Sequence, residues 1–101
     1  MTDYTVAVAK HATLAAGITD SVTLTDFSYD TGSRFQVFNH GATEWIWFTT
    51  NGTTPVAHAD NTYFAKPGTG RTVPCRQAPG ANDQVKLVCA AAVDYSVTGS
   101  S

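Results

Sequence analysis

Short alternating segments, separated by Gly, Asn, Asp and Pro, run through the whole chain. Ser21 to Thr25 (SVTLT) and Arg34 to Asn39 (RFQVFN) show the two-residue period of a half-buried strand most clearly. No segment keeps the helical period over three turns, and the alanine-rich stretch from His11 to Ile18 is short and contains Gly17. The pattern predicts an all-β fold of about eight short antiparallel strands. These would form a small β-sandwich, or a jelly-roll or Ig-like barrel.

The turn residues divide the chain into predicted strands at 4–9, 11–18, 21–25, 34–39, 44–50, 62–65, 71–75, 84–90 and 93–98. The strand at 11–18 has the weakest pattern. Longer loops are predicted at 26–33, 53–61 and 76–83, and Asn51-Gly52 is the strongest turn signal. With 101 residues the chain is expected to form a single β-sandwich domain over 1–101. In one interpretation the first few residues form an arm, and residues 99–101 are expected to fray.

Charge is sparse, with 14% charged residues, a net charge of -2 and a pI near 5.8. The six basic residues are scattered, whereas a nucleic-acid groove requires a basic stripe, so no nucleic-acid partner is expected. No run of 18 apolar residues exists to span a membrane as a helix. The first residues also lack the pattern of a secretory signal, which predicts folding in the cytoplasm of the producing cell.

Candidate metal ligands and catalytic groups are few. Cys75 and Cys89 are too few for a zinc site; a disulfide between them stays open, and a buried free thiol is favoured for Cys89. His58 and Asp60 could offer two ligands, but no third ligand lies nearby in the sequence. No paired carboxylates or nucleophile motif occur, so neither an enzyme nor a cofactor is expected.

The stretch from Thr43 to Pro55, TEWIWFTTNGTTP, is apolar on both faces of a predicted strand. Trp45 and Trp47 share one face, while Ile46 and Phe48 share the other. One face must belong to the core, and the other must be covered by something else. One alternative is a cover made by the loop at 26–33 or the loop at 76–83. The other alternative is an interface with a partner.

Exposed aromatic rings beside polar residues also suggest sugar stacking. Trp45, Trp47, Tyr63 and Asn61 could form such a platform. This pattern has low specificity, because the cores of β-sandwiches contain the same rings.

From about His11 to Gly99, the order of motifs resembles small β-sandwich proteins of tailed bacteriophages, chiefly those that infect actinobacteria. The motifs that carry the resemblance are RFQVFNHG, WIWFTTNGTTP, ADNTYFAKPG and VKLVCAAAVDYSVTG. The resemblance implies a virion structural protein, with capsid decoration as the favoured role and the major capsid protein as partner. It also implies location on the capsid surface and self-association, with a trimer as one option. A carbohydrate- or receptor-binding module on a tail or head fibre is the alternative.

A decoration protein needs an apolar patch that costs little to desolvate, and aromatic side chains are the preferred anchors of interfaces. We therefore predict an interface that contains four aromatic residues, with two arginines as charge partners for an acidic capsid surface: Trp45, Trp47, Phe38, Phe64, Arg34 and Arg76. This prediction places Trp45 and Trp47, and not Ile46 and Phe48, on the outer face. The two cysteines and the WIW triplet exceed what the resemblance requires.

Overall fold

The computed structural model describes residues 2–28, 34–60, 62–74 and 82–100. These residues form nine β-strands and no helix. The strands are β1 (Thr2–Val6), β2 (Ala9–Leu14), β3 (Asp20–Ser28), β4 (Arg34–Asn39), β5 (Ile46–Thr49), β6 (Tyr63–Ala65), β7 (Gly70–Pro74), β8 (Asn82–Val88) and β9 (Val93–Ser100). Within this described part, no helix is long and apolar enough to cross a membrane.

The strands form two sheets that pack face to face. Sheet A has five strands in the order β1-β3-β8-β5-β6, and sheet B has four in the order β2-β9-β4-β7. From β2 to β9, the two sheets interleave in the order of a jelly roll, which confirms the all-β prediction. One pairing departs from the antiparallel expectation, because β1 lies parallel to β3.

The core lies between the sheets and follows the alternation seen in the sequence. Phe35 and Val37 of β4 point inward together with Val22 and Leu24 of β3, and all four are fully buried. Burial of each such side chain contributes roughly 1.5–3 kcal/mol to stability. The inward residues of both sheets join in a single hydrophobic cluster.

The prediction of one strand over residues 4–9 was wrong in its bounds. The chain leaves sheet A after Val6 and enters sheet B at Ala9. Val8, two residues after Val6, lies in this crossover with 52% of its surface exposed. Alternation continues through the crossover in the sequence, so it could not reveal where the strand ends.

Other boundaries also differ from the prediction: the strand expected at 11–18 is β2 at Ala9–Leu14, and smaller shifts occur at β5 and β8. β3 continues to Ser28, where a loop was expected from Asp26, and its pairing with β8 shifts register between Leu24 and Ser28. The tail expected to fray from Gly99 is instead paired with β4 as far as Ser100. The rest of the predicted loops at 26–33 and 76–83 lies largely outside the described residues.

The Asn51-Gly52 turn forms as predicted. Gly52 adopts a left-handed backbone with φ of 84°, and the Asn51 side-chain oxygen accepts hydrogen bonds from the Thr53 amide and hydroxyl. Because β6 begins only at Tyr63, this turn opens a long connection and not a two-residue hairpin. The connection folds back beside β5, where the Thr49 hydroxyl donates to the Thr53 carbonyl oxygen.

A buried polar pair links the two sheets. The Tyr95 hydroxyl of β9 donates to Asp20 Oδ2 of β3 at 2.9 Å, and both residues are almost completely buried. Burial raises the pKa of the Asp20 carboxyl above 3.8, while hydrogen bonds from Tyr95 and Thr2 act in the opposite direction. Folding therefore favours the protonated form of Asp20.

This pair predicts a pH-dependent stability. A carboxyl with a raised pKa in the folded state contributes stability that is complete below its unfolded pKa and is lost as pH rises through its folded pKa. Asp20→Asn keeps an acceptor and removes the charge. We expect the variant to gain in unfolding free energy relative to the native protein between about pH 4 and pH 7. Urea unfolding at several pH values measures the difference, with exposed Asp3→Asn as control; a difference that does not change with pH would contradict the account.

Candidate functional site

β5 separates its apolar residues onto the two faces of sheet A. Ile46 and Phe48 are fully buried in the core. Trp47 lies on the outer face and is half-buried, and Trp45, just before β5, is 40% exposed. The tryptophans therefore lie outside and the Ile46–Phe48 pair inside, as expected.

Four rings meet on this outer face, and we call Trp45, Trp47, His58 and Phe64 the aromatic patch. The centroids of the two tryptophan rings are 6.0 Å apart, with an angle of 22° between the planes. Phe64 lies 5.2 Å from Trp45 and 5.8 Å from Trp47, and His58 lies 4.3 Å from Trp47. The separations among Trp45, Trp47 and Phe64 are those of favourable aromatic pairs.

Strand register brings Phe64 to the tryptophans. β5 pairs with β6 so that Trp47 is directly opposite Phe64, which places both side chains on the same face. The inward neighbours follow the same register, because Ile46 faces Ala65 and Phe48 faces Tyr63. The patch is thus a direct consequence of the alternation that also builds the core.

His58 reaches the patch from the connection between β5 and β6. Its backbone is left-handed, with φ of 63°, which is uncommon for a residue other than glycine. The ring packs on Trp47 although the imidazole is largely exposed. The sequence indicates a loop at His58 and a potential metal ligand, but no local pattern in it indicates the ring contact with Trp47.

Two basic side chains lie against the rings. Lys66 Nζ is 5.9 Å from the centroid of the Trp45 ring, within the range of a cation–π contact. The Arg71 guanidinium is 5.2 Å from the Phe64 ring and 5.7 Å from the Tyr63 ring, and it donates to the Phe64 carbonyl oxygen at 3.4 Å. Arg71 therefore covers the open side between β6 and β7.

A groove of about 300 Å³ borders the patch. Its described lining comprises Thr43, Glu44, Trp45, Trp47, His58 and Ala90. Glu44 is the acidic residue of this lining, which includes no lysine or arginine. The groove is open to solvent and combines aromatic surface with a carboxylate.

The Asn39 side chain holds the segment that leads into the patch. Asn39 is fully buried at the end of β4. Its Nδ2 donates to the carbonyl oxygens of Glu44 at 2.6 Å and Ala65 at 3.0 Å, and its Oδ1 accepts from the Gly41 amide at 2.8 Å. These bonds fix the turn after β4, the residue before Trp45 and the residue after Phe64.

Gly41 is required in this turn because its α-carbon lies against the core. A β-carbon at this position would lie 2.5 Å from a methyl group of Val93 and 3.0 Å from Asn39 Oδ1. No local pattern in the sequence indicates the hydrogen bonds that Asn39 makes around this turn.

The structure divides the predicted interface between two surfaces. Trp45, Trp47 and Phe64 belong to the aromatic patch on sheet A. Arg34 and Phe38 lie on the outer face of sheet B, which is the opposite side of the molecule.

Phe38 packs over Gly70, where an added β-carbon would lie 2.9 Å from the Phe38 ring. The centroid of the Phe38 ring lies 4.7 Å from that of the His40 ring. Arg76 lies outside the described residues.

The predicted sugar platform is also only partly assembled. Tyr63 faces inward beside Phe48, with ring centroids 5.6 Å apart, and packs against the core. It does not join the tryptophans on the outer face. Asn61 lies outside the described residues.

A second polar cluster forms on the outer face of sheet B. His11 Nδ1 and His40 Nε2 lie 2.5 Å and 2.6 Å from the hydroxyl oxygen of Ser96. Because this hydroxyl has one proton, at least one of the two rings donates to it. The sequence distance between the histidines hid this contact. Across the described ranges, no three or more His, Cys, Asp or Glu residues form a group that could hold a metal ion.

Cys89 is a free, buried thiol, as favoured from the sequence. Its Sγ lies 3.6 Å from the Leu14 carbonyl oxygen. Burial, and then the charges of Glu44 and Asp20, raise the pKa of the Cys89 thiol. Burial of this kind is typical of a structural cysteine that packs in a core.

Comparisons with known proteins inform the fold. No family model matches the sequence. The search of curated proteins found no similar sequence. Among solved structures, the chain is similar to a de novo designed double-stranded β-helix determined by solution NMR, with a TM-score of 0.57 and 13% identity over 91% of this chain and 97% of the other. At this identity the similarity supports the fold alone.

The hydrogen bonds of Asn39 predict that its removal lowers the stability of the fold and also disturbs the arrangement of rings in the aromatic patch. Asn39→Ala leaves three backbone groups without their partner, and we expect a loss of about 2–4 kcal/mol in unfolding free energy. Urea unfolding followed by tryptophan emission measures the loss of stability. The emission of the folded variant reports on the patch, because both tryptophans of the chain lie in it. Asn51→Ala, in an exposed turn, is the control and should cost less than about 1 kcal/mol. Equal losses in the two variants would refute this role for Asn39.

Proposed function

We propose that the protein is a non-enzymatic structural component of a bacteriophage virion. In this proposal it decorates the outside of the capsid and binds the major capsid protein through the aromatic patch of sheet A. The observation that carries the proposal is the stack of Trp45, Trp47 and Phe64 on an outer face of the sandwich. The sequence resemblance to virion proteins supplies the identity of the partner.

The patch has the chemistry of an interface anchor. Tryptophan is among the residues that contribute most to binding free energy at the centres of interfaces. Trp45 exposes 40% of its surface, and the rings beside it present more apolar area that a partner could cover. Lys66 and Arg71 lie against the rings, and their charges can contact polar groups at the margin of an interface.

The size of the patch favours attachment of more than one copy at a time. A stable interface buries about 800 Å² on each partner, and three rings supply only part of that area. Linked copies make later contacts intramolecular, so weak individual contacts give strong attachment. This reasoning supports the proposal that the protein self-associates, for which a trimer is one arrangement.

A sugar-binding module on a tail or head fibre is the second candidate. Exposure of Trp45 beside an open groove favours it. The inward position of Tyr63 counts against a broad platform, because that ring packs on Phe48 in the core. Capsid decoration therefore remains the preferred proposal.

The decoration proposal predicts that Trp47→Ala loses capsid binding. Removal of a central anchor should weaken binding at least about tenfold, corresponding to more than about 1.4 kcal/mol. Cosedimentation with capsids that lack the protein measures saturable binding and its ratio to the major capsid protein.

Val8→Ala is the matched control. Val8 is an exposed hydrophobic residue in the crossover between β1 and β2, and β1 lies three strands from β5 in sheet A. Thermal unfolding establishes that both variants are folded. Full capsid occupancy by a folded Trp47→Ala variant would remove the patch from the interface. Absence of capsid binding by the native protein, together with saturable binding to a glycan, would favour the sugar-binding alternative.

A further inference from the structure

We propose that the groove beside the aromatic patch receives a lysine or arginine side chain of the protein partner. The inference rests on the proposed function for the identity of that partner. It adds a chemical specificity that the apolar patch does not provide, because apolar contact alone does not select a charge.

The lining of the groove suits an organic cation. Its rings are Trp45, Trp47 and His58, and the faces of aromatic rings attract cations. Glu44 contributes a carboxylate, and the described lining contains no competing lysine or arginine. Aromatic surface together with a single negative charge is complementary to an ammonium or guanidinium group on an alkyl chain.

The molecule already shows the same contact on its own rings. Lys66 Nζ lies 5.9 Å from the Trp45 ring centroid, and the Arg71 guanidinium lies 5.2 Å from that of Phe64. Both cations approach the patch from strands or turns outside the groove. A cation from the partner would make the same kind of cation–π contact on the tryptophan surface beside Glu44.

The charge of Glu44 acts near the groove. It contributes, after burial, to the raised pKa of Cys89, whose neighbour Ala90 lines the groove. The Asn39 bond to the Glu44 carbonyl oxygen fixes the backbone of this residue. The carboxylate is thus attached to an ordered segment between the patch and the end of β8.

The size of the groove fits one side chain. Its volume of about 300 Å³ is at the lower limit of ligand pockets, which span roughly 300–1,000 Å³. The groove shares its tryptophans with the patch, so a side chain in it would belong to the same interface. A protein partner is therefore a better occupant than a large free ligand.

The test follows the NMR signals of the two indole N–H groups. These signals report only on this surface, because both tryptophans of the chain lie in the patch. The intact protein is titrated with the methylamides of Nα-acetyl-lysine, Nα-acetyl-arginine and Nα-acetyl-norleucine, the last a neutral analogue of lysine. We expect saturable shifts with the two cations in roughly the millimolar range, and at least about fivefold weaker binding of norleucine. Equal binding of norleucine, or no saturable shift with either cation, would overturn the inference.

The role of Glu44 has its own matched pair of variants. Glu44→Gln should weaken binding of the lysine and arginine amides, and binding to capsids, by about threefold to tenfold. Asp3→Asn removes an exposed charge at the opposite edge of sheet A and should change neither. Unchanged cation binding in a folded Glu44→Gln variant would refute the charge complementarity.

The two proposals can fail separately. Native protein that binds capsids through Trp47 but does not distinguish lysine from norleucine would overturn only the cation site. Selective cation binding without capsid binding would overturn the proposed function, and with it the capsid as the source of the side chain.

Discussion

Three hydrogen bonds of one buried amide, Asn39, connect the core to the candidate binding surface. The amide ends β4 in sheet B, yet its bonds reach Glu44 before β5 and Ala65 at the end of β6 in sheet A. Because an unpaired polar group is costly in a dry core, these partners must remain together. The same bonds thereby fix Trp45 and Phe64, which are next to Glu44 and Ala65 in the chain.

From that constraint, strand geometry builds the rest of the surface. Ile46 and Phe48 fill the core, so the alternation of β5 directs Trp47 outward, and the register with β6 brings Phe64 opposite it. Core packing and patch formation are therefore two consequences of one short strand. The polar Asp20–Tyr95 bond and the jelly-roll order hold the two sheets together.

Sequence periodicity could predict the parts of this structure that depend on local order. It located β4 and the turn at Asn51-Gly52 and showed that the strand around Trp47 is apolar on both faces, but it left open which of these faces is buried. It could not place Phe38 on the opposite sheet, because sheet membership depends on strand order and not on alternation. It also did not predict the packing of the His58 ring on Trp47 or the hydrogen bonds of His11 and His40 to Ser96. Both depend on contacts between residues that are distant in the sequence.

Radical footprinting with mass spectrometry tests the central claim most directly, because it follows individual residues of this chain on an assembled particle. Oxidation rates of Trp45 and Trp47 would be compared between the free protein and capsid-bound protein. The account predicts several-fold protection of both tryptophans on binding, with Phe38 on the opposite face unchanged. Protection of Phe38 with unchanged oxidation of both tryptophans would contradict it and move the interface to sheet B.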